Sequence, residues 1–233
     1  MRPRQGTRRW GELLEHVGRI EADVWVLTET GKDFSPGPQF RLVAESAVAP
    51  DRTARESWVA IWARGTGSAV PTADPQRTAC ACIGTAAGGS VVVYGTVLPW
   101  LSDSRWPERG FRAFERALTQ QFTDWRQLQR DYFGVPLVVA GDFNQDLAPF
   151  HYYGSGRGKR LLGQTLADAE LHVATGGPLD PLLGYPRRAS IDHICATRQF
   201  RAVRNPVVWP APERVGKALT DHFGVLVDYV PPT

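Results

Sequence analysis

Lysine is nearly absent from this chain. Of its 27 cationic residues only Lys32, Lys159 and Lys217 are lysine, and the rest are arginine. Arginine forks suit phosphate contacts, although the base composition of the coding sequence is a simpler source of the bias. Cysteine is scarce: Cys80, Cys82 and Cys195 cannot all pair within one chain. Cys80 and Cys82, two apart on one face of an extended segment, are poorly placed to bond each other. No disulfide framework follows, and a reducing, cytoplasmic compartment is the expectation. Long apolar runs are missing, and the longest, near residues 135–140, is far too short to cross a bilayer. Residues 1–9 are basic but no apolar stretch follows them, so no signal peptide is expected. Nor is there an amphipathic membrane helix or a lipidation motif. Net charge is small, +3 with a pI near 8.9, which leaves no strong nucleic-acid footprint while permitting a polyanionic substrate. Zinc-type Cys/His spacing, a Walker loop and a Gly-x-Ser-x-Gly elbow are all lacking.

The chain has ordinary globular proportions, 42% apolar and 22% charged residues over 233 positions, enough to bury a core without staples. Its 23 glycines and 18 prolines suit many short elements. Apolar spacing of three and four predicts helices over residues 10–21 (Leu13, Leu14, Val17, Ile20) and from near Pro107 to Tyr132 (Phe111, Phe114, Leu118, Phe122, Trp125). A flexible loop at 154–158 (GSGRG) is expected to precede a third helix over 159–171. β-Branched or alternating runs predict strands at 23–28, 57–63, 79–85, 91–99, 135–140, 190–196, 205–209 and 222–230. No repeat, heptad or linker divides the chain. The expectation is a single domain over 1–233, monomeric, α+β, with sheets covered by helices.

Four short segments at strand ends carry the groups for chemistry: Glu29 in Thr28-Glu29-Thr30; Gly141-Asp142-Phe143-Asn144; Ser190-Ile191-Asp192-His193; and Thr220-Asp221-His222. Strand ends are where α/β folds place ligand sites. If Gly141–Asn144 stays extended, Asp142 and Asn144 share a face and could hold water or a metal beside a phosphoryl oxygen. The same residues also read as a turn. Ser190 and Asp192 share a face that His193 opposes, so His193 reads as structural.

In this order, Glu … GDFN … Ser-x-Asp-His … Thr-Asp-His resembles the endonuclease/exonuclease/phosphatase superfamily, over nearly the whole chain. The resemblance implies a four-layer α/β sandwich, two packed mixed β-sheets flanked by helices, and divalent-metal-dependent phosphoester cleavage with Mg²⁺ or Mn²⁺. It implies Glu29 and Asp221 as metal-binding carboxylates and Asp142 and Asn144 as the pair that handles water and phosphate. Asp192 would orient the catalytic His222, which Asp221 precedes. The substrate would be a phosphoester, including DNA or RNA. The chemistry agrees: a hard cation takes oxygen ligands and keeps waters, and an Asp–His pair gives an oriented imidazole.

Substrate choice falls to loops. Tyr94 could contact a phosphate, but a buried strand tyrosine is the alternative. Residues 99–110 carry Trp100, Arg105, Trp106 and Arg109, which suit stacking and backbone contacts, unless Trp106 docks the following helix. Residues 150–160 place His151, Tyr152, Tyr153, Arg157, Lys159 and Arg160 close behind GDFN, and His151 and Arg157 are candidate substrate contacts. One departure stands out. Superfamily members open with a strand ending in asparagine, and here Met1 runs almost directly into the first helix. If such a strand lies upstream, residues 24–28 and 225–229 should face a gap or be drawn together to pair.

Overall fold

The computed structural model describes residues 7–48, 56–209 and 220–230. Helix α1 (Arg8–Gly18) starts where Thr7 turns its side chain back to accept from the Trp10 backbone N–H, an N-cap. Its apolar face buries Leu13 and Val17 against Trp25, Phe34 and Phe40. Strand β1 (Val24–Gly31) lies at one edge of a three-stranded antiparallel sheet, in the order β1-β3-β2 with β2 (Arg41–Glu45) and β3 (Glu56–Ala63).

A second sheet has six strands. They are β4 (Gly67–Val70), β5 (Thr78–Gly84), β6 (Ser90–Val97), β7 (Leu137–Asp142), β9 (Asp192–Thr197) and β8 (Leu171–Val173), in that spatial order. The crossover through α2 (Phe111–Asp131) makes β6 and β7 the parallel pair. The mixed character of the fold therefore sits in this larger sheet, since the smaller one is antiparallel throughout.

The period of two along β5 and β6 sorts side chains into layers. Cys80, Val92 and Tyr94 point to the outer face, where Phe114, Leu118 and Trp125 of α2 and Leu162 and Leu166 of α3 (Gly156–Asp168) cover them. Ala79, Ala81, Ile83, Val91 and Val93 point inward against Val59 and Ile61 of β3. The layers run helix, sheet, sheet, helix, as expected.

Several boundaries differ from the sequence expectation. Helix α3 begins inside the glycine-rich stretch, because Ser155 caps it by accepting from Gly158 N. The short strands β2, β4 and β8 carry too few alternating residues to stand out. The expected last strand is broken into β12 (Gly224–Leu226), which pairs with β11 (Val207–Trp209), and β13 (Tyr229–Val230), which pairs with β10 (Arg201–Ala202). Asp228 sits at the break, its carbonyl accepting from Val203 N and its carboxylate paired with Arg204.

Among the described residues β1 pairs only with β3, and β12 only with β11. A cavity of about 1070 Å³ separates them, lined by Val24, Val26, Val93, Val138, Leu226 and Tyr229 among others. Of the two arrangements expected for residues 24–28 and 225–229, the structure has them facing a gap.

All three thiols are unpaired; Cys80 and Cys195 are buried and Cys82 is partly accessible. Burial pushes the Cys80 thiol up to about 12 and the Cys195 thiol higher still. Reaction of the native protein with a thiol-specific dye should therefore modify Cys82 alone, with all three reacting after denaturation. Rapid modification of all three in the native state would contradict this packing.

Candidate active site

The site begins at the carboxyl end of β7. Gly141 has φ +141°, and a Cβ there would lie 2.0 Å from the Thr96 carbonyl oxygen, so only glycine lets β7 pass β6 this closely. Asp142 then pairs across to Val97 on one side and to Asp192, the first residue of β9, on the other. Sheet register alone thus brings two carboxylates from residues 50 positions apart to one edge. Phe143 is fully buried, with its ring edge-on to His193 at 5.5 Å.

The chain turns at Asn144, which has φ +48°. Its backbone N–H donates to Asp142 Oδ1 at 2.8 Å, and its Nδ2 donates to Asp142 Oδ2 and to the Leu98 carbonyl, both at 2.9 Å. The turn and the Asp142–Asn144 pairing are one feature, because the turn makes the pair. Ahead of β9, Asp180 fixes the approach by accepting from Leu182 N and Ser190 N, each at 2.9 Å.

His222 completes the cluster, its Nδ1 lying 2.8 Å from Asp192 Oδ2. Burial alone would lower the His222 pKa, but the hydrogen bond and charge of Asp192, with Asp142 and Asp221 behind, raise it to about 10. Burial comes first among the forces that hold Asp142 well above the usual carboxylate range. The charges of Asp192 and Glu29 add to it, against the pull of His222. Crowded carboxylates of this kind, rich in oxygen donors, suit a divalent cation. Among the described residues Asp142, Asp192 and His222 bring ligand atoms within 4.8 Å of one another.

Glu29 and Asp221 line the same cavity. Glu29 is half-buried within β1 at φ +52°, a conformation that costs a non-glycine residue about 1–3 kcal/mol and that gathers at functional sites. It stands apart from the tight cluster of Asp142, Asp192 and His222. Asp221 is exposed at the cavity edge, beside His222.

Other candidates are placed elsewhere. Tyr94 is fully buried, and its hydroxyl donates to Asp124 Oδ2 at 2.9 Å on the helix-covered face, so it is a core residue and not a ligand contact. Arg157 turns to α2, its guanidinium 3.9 Å from the Phe111 ring centroid and 3.7 Å from Glu115. Lys159 donates to Asp146 and to the Phe150 carbonyl, each at 2.6 Å. His151 is largely exposed, 3.6 Å from Asp146. Trp106 packs against the helix-side core, the docking alternative. His193 is structural, fully buried with Nε2 2.9 Å from the Gln145 carbonyl. Sequence reasoning missed Gln145, Asp146 and Asp180, whose polar side chains build the loops around the site; their partners come from distant turns, and no local spacing announces them.

The Endonuclease/Exonuclease/phosphatase family profile matches residues 5–222. No curated protein matches the sequence. Among solved structures, a 3′ phosphatase, NExo, from Neisseria bound to product DNA hairpin superposes with a TM-score of 0.69 at 18% identity, over 95% of this chain and 94% of that one. The human Nocturnin catalytic domain with bound sulfate anion gives 0.62 at 16% identity, over 95% and 85%. The Xenopus laevis APE2 catalytic domain gives 0.63 at 14% identity, over 94% and 88%. At such identities the likeness is one of fold.

Proposed function

The chain belongs to the Endonuclease/Exonuclease/phosphatase family, whose members hydrolyse phosphoesters, and from that premise we propose that it is a divalent-metal-dependent phosphodiesterase acting on nucleic acid. The observation that carries the reading is the 2.8 Å Asp192–His222 hydrogen bond set beside the Asp142–Asn144 pair. With Nδ1 committed to Asp192, Nε2 is the imidazole atom left to meet a phosphoryl oxygen, and the raised pKa keeps it a proton donor to developing charge. Both amide protons of Asn144 are already spent, on Leu98 and Asp142. Asn144 therefore acts as a positioning residue that aims the Asp142 carboxylate at the attacking water. Glu29, Asp142 and Asp221, which line one cavity, would supply oxygen ligands suited to Mg²⁺ or Mn²⁺. Such a cation, when bound, polarises a phosphoryl oxygen and stabilises its charge.

The test is product release from bis-p-nitrophenyl phosphate and from DNA, with Mg²⁺, with Mn²⁺ and with a chelator. A folded sample inactive on every substrate with both metals would sink the proposal. Within it, Glu29→Gln should raise the Mg²⁺ concentration needed for half-maximal activity several-fold, with little change in turnover at saturating metal. An unchanged metal titration would remove Glu29 from the ligand set.

One observation favours a second reading, a weakened family member that binds phosphate-rich ligands without turning them over. Glu29 lies outside the tight cluster and faces the cavity. DNA binding that survives chelation, with no hydrolysis under any metal, would favour it.

A further inference from the structure

Three aromatic side chains in four residues stand exposed directly behind the GDFN turn: Phe150 at 42%, Tyr152 at 45% and Tyr153 at 39% of their full accessibility. Such rings ordinarily fold back onto the body of a protein to lose contact with water. Here the backbone that carries them is tied down. Asp146, itself fully buried, accepts from Tyr152 N at 2.9 Å and from Tyr153 N at 2.8 Å. Lys159 supplies its counter-charge at 2.6 Å. The neighbouring Gln145 donates to the Tyr153 carbonyl and accepts from Ser155 N, both at 2.9 Å. Between those two contacts Gly154 sits at φ +81°, with the Gln145 amide oxygen 2.2 Å from where a Cβ would stand. Both polar groups of the Tyr153 backbone are thus held by the two side chains that follow Asn144 in sequence. The segment that sets the Asp142–Asn144 pair also sets the position of Tyr153.

The Tyr153 backbone is bonded to Gln145 and Asp146, the two residues that directly follow Asn144, so the residue stands beside the turn that anchors Asp142. A rigid, half-exposed aromatic ring beside a phosphate-cleaving centre has the properties of a stacking platform. Every nucleobase offers a π-face, and stacking on an aromatic side chain is sequence-tolerant. In the interior of a duplex, both faces of a base are covered by its neighbours. A ring on a pinned loop therefore stacks most readily on a base that is unpaired or at an end.

We propose that Tyr153, with Tyr152 beside it, stacks on an unpaired base next to the phosphate met by His222, so that the site takes single-stranded nucleic acid or a frayed end. This rests on the phosphodiesterase reading and adds to it the form of the substrate and the residue that selects it. Tyr153 is assigned to substrate recognition, and the chemistry stays with His222 and Asp142.

The experiment measures binding in the presence of a chelator, so that turnover plays no part. Fluorescence anisotropy would be recorded with a labelled single-stranded decanucleotide, with its abasic counterpart of identical phosphate count, and with the duplex. The wild-type chain should bind the base-containing strand more tightly than either of the others. Tyr153→Leu should weaken that binding roughly five- to a hundredfold, the loss of one stacked base. It should leave the abasic affinity unchanged, while Tyr153→Phe, which keeps the ring, should bind like wild type. An unchanged melting temperature for Tyr153→Leu would separate lost stacking from lost fold. Equal wild-type binding to base-containing and abasic strands, or equal losses on both in Tyr153→Leu, would overturn the proposal. Failure of the phosphodiesterase reading shows itself differently, as absence of metal-dependent hydrolysis on any substrate.

Discussion

Replacing His222 by alanine is expected to lower turnover at least about a hundredfold, the scale of a lost acid–base group. The side chain is half-buried at the sheet edge, and its visible partner is Asp192. Its removal takes away the one imidazole in the cluster while leaving the core untouched, so the melting temperature should change little. Asp142→Ala should cost as much, because it removes the carboxylate to which Asn144 is anchored at both Oδ atoms. Asp192→Asn should cost less, since an amide oxygen can still accept from Nδ1 and keep the ring oriented, while the charge that lifts the His222 pKa is lost. Steady-state kinetics on bis-p-nitrophenyl phosphate at saturating Mg²⁺ would read all three. A near-wild-type rate for His222→Ala would remove the mechanism.

Asp103→Ala should lower stability by about 3–5 kcal/mol, through a charge stranded in the interior. Arg77 and Asp103 pair at 3.0 Å with side chains only 6% and 0% exposed, and the guanidinium lies 3.8 Å from the Trp58 ring centroid. Without Asp103, Arg77 keeps its charge, its burial and its stacking on Trp58, but loses its hydrogen-bonded ion-pair partner. For a chain of this length the melting point should fall by roughly 6–20 °C. Replacing both partners together, Arg77→Met with Asp103→Leu, should recover much of that loss, because the stranded guanidinium is gone. A single variant melting within about 2 °C of wild type would show that the pair contributes little.

The two experiments probe features of very different visibility in the sequence. His222, Asp192, Asp142 and Asn144 stand in short local patterns at strand ends, and the structure gathers all four. Their order along the chain could be recognised without coordinates, because each pattern lies within two to four residues. The Arg77–Asp103 pair spans 26 positions and has no local signature. Asp146 is equally silent: it sits two residues beyond Asn144, yet its partners are the Tyr152 and Tyr153 amides and Lys159. Tyr94 shows the reverse case. Its strand parity was readable, but only the placement of α2 decides that its hydroxyl meets Asp124 on a covered face.

Hydrophobic periodicity determined that sheets are covered by helices in this protein, while the helix, sheet, sheet, helix order was implied by the family resemblance. The alternation through β5 and β6 and the three-and-four spacing of α2 encode which face each element buries, and burial of those faces allows few layer orders. The types of reacting group were also set locally, by residues adjacent in the chain. Tertiary structure alone decided the rest. The β7–β9 register places Asp142 opposite Asp192. The turn at Asn144 spends its amide on Asp142, and the buried Asp146 ties down the Tyr153 backbone. The cavity between β1 and β12 belongs to the same class, since strand edges show themselves as paired or unpaired only once every neighbour has been placed. The physical reason is range: propensity and periodicity act over a few residues, whereas hydrogen-bond partners, register and burial of charge are settled by segments far apart in sequence.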